Sequence, residues 1–222
     1  MIGFYISGSI TLIVYLLQFI FAFLEMDKTR KAIKPFCLIG LMITVYFLGC
    51  RNILLFLALG FGLIGDIFLI FPKKKICFIL GIVTFYINHI LYIVLFSQLL
   101  SYPIKPWIII GLIVFGLLFP LLTYKLSSSI SKDFALPGGI YFYALFIECL
   151  FATLLLMDSK SGYAIMILFG NIAFIISDTI LSLTNFVIKV KRKDFYIMTT
   201  YLLAQTLISI GLTLMLIGWL GG

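Results

Sequence analysis

The chain has 222 residues, of which 64% are hydrophobic and only 11% charged, with a formal net charge of +8. A soluble domain carries roughly a quarter of charged residues, so the composition excludes an ordinary water-soluble enzyme. The positive balance is no nucleic-acid surface, because the lysines and arginines sit in short segments between apolar runs, where basic residues orient a membrane protein.

A helix that crosses a bilayer needs ~20 apolar residues. The chain offers eight such runs, at 3–24, 33–50, 53–71, 76–99, 106–124, 136–157, 162–187 and 196–219. The first extends to Leu24, too long for a cleaved signal peptide, and is expected to be a spanning helix. The second opens at Lys34-Pro35. The third holds Asp66 in an otherwise apolar run, with Gly65 before it and Gly62 one turn earlier, small residues that let a neighbour approach closely. The fourth carries Asn88, His89 and Tyr92, and the sixth carries Tyr141 and Glu148. Runs one and five hold no ionisable side chain deep inside and are expected at the periphery. On the seventh, Asn171, Asp178, Ser182 and Asn185 fall at i, i+7, i+11 and i+14, one helical stripe. On the eighth, Tyr201, Gln205 and Ser209 follow at i, i+4 and i+8.

These runs define an all-α integral membrane protein, a bundle of about eight transmembrane helices forming one domain over 1–222. The odd-numbered loops carry Lys28, Arg30, Lys31 and Lys34; Lys73, Lys74 and Lys75; Lys125 and Lys132; and Lys189, Lys191, Arg192 and Lys193. The even-numbered loops carry Arg51, Lys105 and Lys160. The positive-inside bias therefore puts the odd loops in the cytoplasm and both termini outside; the membrane is expected to be a bacterial-type inner (plasma) membrane. "GDIFLIF" in run three and "SDTILSL" in run seven share a small residue, an aspartate and following apolar residues, and Asp66 and Asp178 stand 112 residues apart. That spacing suits two parallel four-helix halves; coincidence explains so short a match equally well. Cys37, Cys50, Cys77 and Cys149 lack CxxC spacing and read as small hydrophobes.

Depth follows from the helical rise of ~1.5 Å per residue. Counted from the nearest charge of the odd-loop side, Asp66 lies ~10 Å deep, Asp178 and Gln205 ~16 Å, and His89 and Glu148 ~21–22 Å, with Tyr201 shallower. All fall between the midplane and the odd-loop surface of a ~30 Å core. An ionisable group there costs about 2.5–3.5 kcal/mol on insertion scales, so it faces a partner or a cavity. Asn88, Asn171, Ser177 and Thr184 read first as packing contacts between helices. Asp66 and Asp178 read as functional, with His89 and Glu148 between those cases.

The chemistry is bounded by what is missing. A single histidine does not suit a zinc site, so no metal and no cofactor are expected. There is no G-x-S-x-G elbow, no P-loop and no dinucleotide fingerprint. Two close carboxylates hold their protons unequally, so one can act as acid while the other stays ionised. Such a pair can cleave an acetal-like or enol-ether bond through an oxocarbenium-like cation. It can equally serve a proton-coupled transporter of small molecules or lipids. A third reading makes the carboxylates helix glue in a non-enzymatic scaffold.

Several segments, in order along the chain, carry a resemblance: "KP" at Lys34-Pro35, "GLIGDIFL", "GIVTFYINHILYI", "IYFYAL", "FGNIAFIISDTILSLTNF" and "TYLLAQ". Over residues 34 to 205 the chain resembles the YhhN-type lysoplasmalogenases, small integral membrane proteins. The resemblance implies eight helices and hydrolysis of the vinyl-ether bond of a lysoplasmalogen, giving a fatty aldehyde and a glycerophospho-alcohol. The partners would be a lysophospholipid substrate and the lipid bilayer, with no nucleic acid. In that scheme Asp66, Asp178 and His89 are the candidate catalytic residues, with one aspartate protonating the alkenyl carbon. Lys34, Tyr92, Tyr141, Asn171, Tyr201 and Gln205 are the candidate substrate-binding residues, with Lys34 assigned to the lipid phosphate. Glu148 lies outside the family pattern, and only its depth marks it.

Overall fold

Every long apolar run forms a helix, as a bilayer demands, because it offers no partner for free backbone N–H and C=O groups. The structure, a computed structural model, describes residues 2–71, 74–126 and 132–220. The helices are α1 (Ile2–Phe23), α2 (Asp27–Leu48), α3 (Ile53–Phe68), α4 (Lys75–Gln98), α5 (Pro106–Leu126), α6 (Lys132–Ser159), α7 (Gly162–Phe186) and α8 (Lys193–Leu220). Counted over the described residues alone, six of them, α1, α2, α4, α6, α7 and α8, are long and apolar enough to cross a membrane. Lys73, one of the charges behind the expected topology, lies outside the described residues.

The ends differ from the apolar runs in an informative way. Helices α2, α6 and α8 begin earlier than expected, at Asp27, Lys132 and Lys193. Hydropathy marks where a helix is greasy, whereas its hydrogen bonds continue through polar turns beyond. Helix α3 does the reverse and stops at Phe68 rather than 71. A proline follows at position 72, and the residue before a proline is pushed out of the helical region. At the other end, Asn52 caps α3 by accepting the Leu54 N–H at 2.9 Å.

Six helices close a ring in the order α2, α3, α4, α6, α7, α8 and back to α2. Helix α1 packs outside against α2 and α8, and α5 packs outside against α6. Both helices expected at the periphery are therefore there. The packing order repeats after four helices, each half placing its first helix outside its second. Polar side chains tie the ring together: Asn88 Nδ2 on α4 donates to the Ala58 carbonyl on α3 at 2.7 Å, and Ser177 Oγ on α7 donates to the Ile197 carbonyl on α8 at 3.3 Å. Thr11 and Thr44 join α1 to α2 at 3.0 Å. The packing role read for Asn88 and Ser177 is thus visible in their contacts. Leu117, Leu118 and Leu121 on α5 stand exposed on the lipid-facing side.

Helices α7 and α8 touch backbone to backbone. A Cβ added at Gly170 would lie 3.0 Å from the Ala204 carbonyl and from the Ile208 N–H, and one at Gly211 would lie 3.0 Å from the Tyr163 carbonyl. Small residues permit such an approach between membrane helices. Gly170→Leu is therefore expected to destabilise the bundle by about 1–3 kcal/mol or more, since a neighbouring backbone cannot rotate away. Thermal unfolding of the purified protein measures this, and an unchanged midpoint would contradict the close approach.

Candidate active site

A cavity of about 660 Å³ opens at the end of the bundle that carries the odd-numbered loops. Its wall reaches inward to Asp66 on α3, Phe85 on α4, Phe146 on α6, Ile175 on α7 and Tyr201 on α8. No described lining residue comes from the opposite half of the bundle. Most of the wall is apolar, and aromatic rings such as Phe78, Phe119, Phe134, Phe142 and Phe186 face it. Gly138 leaves part of the α6 wall bare, and a Cβ there would meet nothing within 4 Å.

The mouth is charged. Arg30 joins Asp27 at 3.2 Å and Asp194 at 3.1 Å, which ties the start of α2 to the start of α8. Lys31 and Lys193 also line the mouth, the latter with its Nζ 3.0 Å from Asn185 Oδ1. Of the stripe read on α7, Asp178, Ser182 and Asn185 line the cavity, while Asn171 lies deeper.

Two aspartates share this space and have different partners. Asp66 is almost fully buried; its Oδ1 pairs with Lys34 Nζ at 2.9 Å, and its Oδ2 accepts from the Tyr201 hydroxyl at 2.9 Å. Asp178 Oδ2 accepts from the neutral Tyr141 hydroxyl. Gly65, beside Asp66, lets α4 in closely: a Cβ there would sit 2.7 Å from the Phe85 ring. The small residues next to Asp66 thus admit a helix.

Behind Tyr141 lies a second layer. His89 Nε2 is 3.0 Å from the Tyr141 hydroxyl, and His89 Nδ1 is hydrogen-bonded to Glu148 Oε2. Both His89 and Glu148 are completely buried and lie outside the cavity lining. The His89 ring is wedged edge-on between Phe174, at 4.7 Å between centroids, and Tyr141, at 5.3 Å.

The structure thus brings Lys34, Asp66, Tyr141, Asp178 and Tyr201 to one cavity. It puts His89 one side chain behind the wall. Tyr92, Asn171 and Gln205 lie beyond the floor: the Tyr92 hydroxyl donates to Gln205 Oε1 at 2.8 Å, and Asn171 Nδ2 donates to the Ile167 carbonyl of its own helix. Lys34, expected to meet a lipid phosphate, has its ammonium 2.9 Å from Asp66 Oδ1. Sequence reasoning missed the partnership of Glu148 with His89. A signal existed, since both fall at nearly equal depth and Tyr141 and Glu148 share a face of α6 at i and i+7.

The model of the YhhN family matches residues 8–212. The chain belongs to the YhhN family. No curated protein and no solved structure matches it. In this YhhN-family protein the family match runs from within α1 to within α8 and includes every residue of the cavity just described. The site also has an internal likeness. The offset of 112 residues between Asp66 and Asp178 also separates His89 from Tyr201. Tyr201, on α8, serves the aspartate of the first half; His89, on α4, reaches the aspartate of the second half through Tyr141.

Proposed function

We propose that this YhhN-family protein is a membrane-embedded hydrolase that cleaves the vinyl-ether bond of lysoplasmalogens. The observation that carries the reading is one apolar cavity walled by two aspartates with unlike partners, a cation on Asp66 and a phenol on Asp178. An ion pair with Lys34 uses Asp66 as carboxylate. Asp178, bonded to a neutral group, is the member that carries a proton into the reaction.

The chemistry then balances. The Asp178 carboxyl gives its proton to the alkenyl carbon remote from the ether oxygen, and the π electrons leave an oxocarbenium cation. Water adds to the cationic carbon and loses its proton to Asp66. The hemiacetal collapses as its C–O bond breaks: the leaving glyceryl oxygen takes the proton from Asp66, and the hemiacetal hydroxyl returns one to Asp178. The products are a fatty aldehyde and a glycerophospho-alcohol.

The cavity's size lies within the ~300–1,000 Å³ usual for small-ligand sites, and its phenylalanines suit an alkenyl chain. Lys34 is held by a buried carboxylate, so the phosphate falls to Lys31 and Lys193 at the mouth, whose own partners, Asp27 and Asn185, are exposed. The positive-inside bias places that mouth in the cytoplasm. A transporter would use the same carboxylates, but the lining is confined to one half of the bundle, which favours a one-sided reaction chamber.

The test is aldehyde release, followed by mass spectrometry, from lysoplasmalogen added to the purified protein in lipid nanodiscs. Release is expected from the vinyl ether and none from the saturated alkyl-ether analogue, which has no π bond to protonate. Proton-linked lipid movement in liposomes without any cleavage would overturn the reading. Gly138→Leu fills open space in the wall and is expected to raise KM severalfold for long alkenyl chains and much less for short ones, leaving stability unchanged. Equal effects on all chain lengths would place the tail elsewhere.

A further inference from the structure

Four buried polar groups form a continuous chain, Glu148, His89, Tyr141 and Asp178, and we infer that this chain shares a single mobile proton between the Glu148 and Asp178 carboxylates. His89 and Glu148 are thereby positioning residues for Asp178. The inference rests on the hydrolase reading only for the use made of that proton.

The geometry is an unbroken alternation of hydrogen-bonding atoms. Glu148 Oε2 meets His89 Nδ1, His89 Nε2 meets the Tyr141 hydroxyl at 3.0 Å, and that hydroxyl meets Asp178 Oδ2. Each of the three junctions holds one hydrogen. With three hydrogens, four groups and one net negative charge, three arrangements have the same composition. With the mobile proton on Asp178, the carboxyl donates to the Tyr141 oxygen, Tyr141 donates to Nε2, and Nδ1–H donates to an ionised Glu148. With the proton on His89, both ring nitrogens carry hydrogen between two ionised carboxylates. With the proton on Glu148, the carboxyl donates to Nδ1, Nε2–H donates to Tyr141, and Tyr141 donates to an ionised Asp178. Each conversion moves hydrogens only along their own junctions, two between the first and second arrangements and one between the second and third, so no heavy atom has to move.

Burial makes the sharing obligatory. Glu148 and His89 have no exposure, and Tyr141 and Asp178 are 8% and 7% exposed. Losing the mobile proton would leave two net charges in one apolar bundle, which such surroundings strongly disfavour. Glu148 Oε1 is buried without a hydrogen-bond partner, so among the described residues His89 is the group through which Glu148 exchanges its proton. The edge-on rings of Phe174 and Tyr141 keep the imidazole from turning. A helix-packing role would need one hydrogen bond, whereas this chain runs from a sealed carboxylate to one on the cavity wall.

His89 is the chain's one histidine, so ¹⁵N-histidine NMR of protein purified through a histidine-free tag reads a single imidazole. Hydrogen on Nδ1 alone, on both nitrogens or on Nε2 alone corresponds to the three arrangements. Asp178→Asn removes one carboxylate, pins the negative charge on Glu148 and is expected to move the His89 signals toward full occupancy of Nδ1–H. In a Tyr141→Phe background the same Asp178→Asn change should leave the His89 signals where they were. Either no response to Asp178→Asn, or an equal response with Tyr141 replaced, would overturn the inference.

The kinetic arm uses aldehyde release. Glu148→Gln keeps the shape and removes the second proton holder, so kcat should fall about 10²-fold, the usual worth of a well-held general acid. KM should stay within about threefold, because Glu148 touches no part of the cavity. A Glu148→Gln protein with wild-type kcat would also overturn the inference. If the wild-type protein released no aldehyde but its His89 signals answered Asp178→Asn only through Tyr141, the shared proton would stand and the hydrolase reading would fall.

Discussion

Asp178→Asn protein is expected to release aldehyde about 10³-fold more slowly than wild type or worse, while binding lysoplasmalogen with nearly unchanged affinity. A positioned general acid contributes roughly 10²–10⁴-fold, and protonating the carbon of an enol ether is the step without which nothing follows. Asparagine keeps the size of the side chain and can still hydrogen-bond Tyr141, so the cavity wall survives. The loss should therefore appear in kcat, the mark of an interaction made in the transition state. Single-turnover aldehyde release and equilibrium lipid binding, measured on the same preparation, check both parts. A rate within tenfold of wild type would remove Asp178 from the acid's role.

The second large effect concerns Lys34. Its side chain is 12% exposed and that of its partner Asp66 is 1% exposed, so the pair is held almost entirely away from water. Lys34→Met would leave Asp66 as an uncompensated buried charge, which costs about 3–5 kcal/mol. Adding Asp66→Asn removes the orphaned charge, and most of the lost stability should return. Activity should not return, because the base that takes the proton from water is gone. Thermal unfolding of the single and double variants, read beside aldehyde release, separates the two contributions. A Lys34→Met protein as stable as wild type would mean that the ion pair does not hold Asp66.

Much of this was legible in the sequence because a bilayer penalises polar groups so heavily. Eight apolar runs gave eight helices, and α1 and α5, lacking deep ionisable groups, pack outside the ring. Asp66 and Asp178 stood out for the same reason, as charges in surroundings that tolerate few. The differences between expected and observed contacts also have causes. Lys34 looked like a residue at the edge of a span, where a lysine normally snorkels to the headgroups. Helix α2 begins at Asp27, so Lys34 lies two turns inside it and turns inward to Asp66. Gln205 and Tyr92 fell at suitable depths, but depth along a helix does not say where a cavity ends, and this one ends at Phe85 and Tyr201. Glu148 was visible but had no role, because its meaning depends on α4 lying against α6, a contact that joins residues 59 positions apart.

The crossing of partners between the halves sets the smallest unit that can work. Asp66 takes a hydrogen bond from α8, and Asp178 depends, through Tyr141, on α4. A break between α4 and α5 would leave two four-helix pieces, each with an aspartate and neither with that aspartate's full set of partners. A lone half could complete a site only by pairing with another half. If a four-helix ancestor was duplicated to make this chain, that ancestor had its site at a dimer interface, and fusion turned an encounter between subunits into a contact within one molecule.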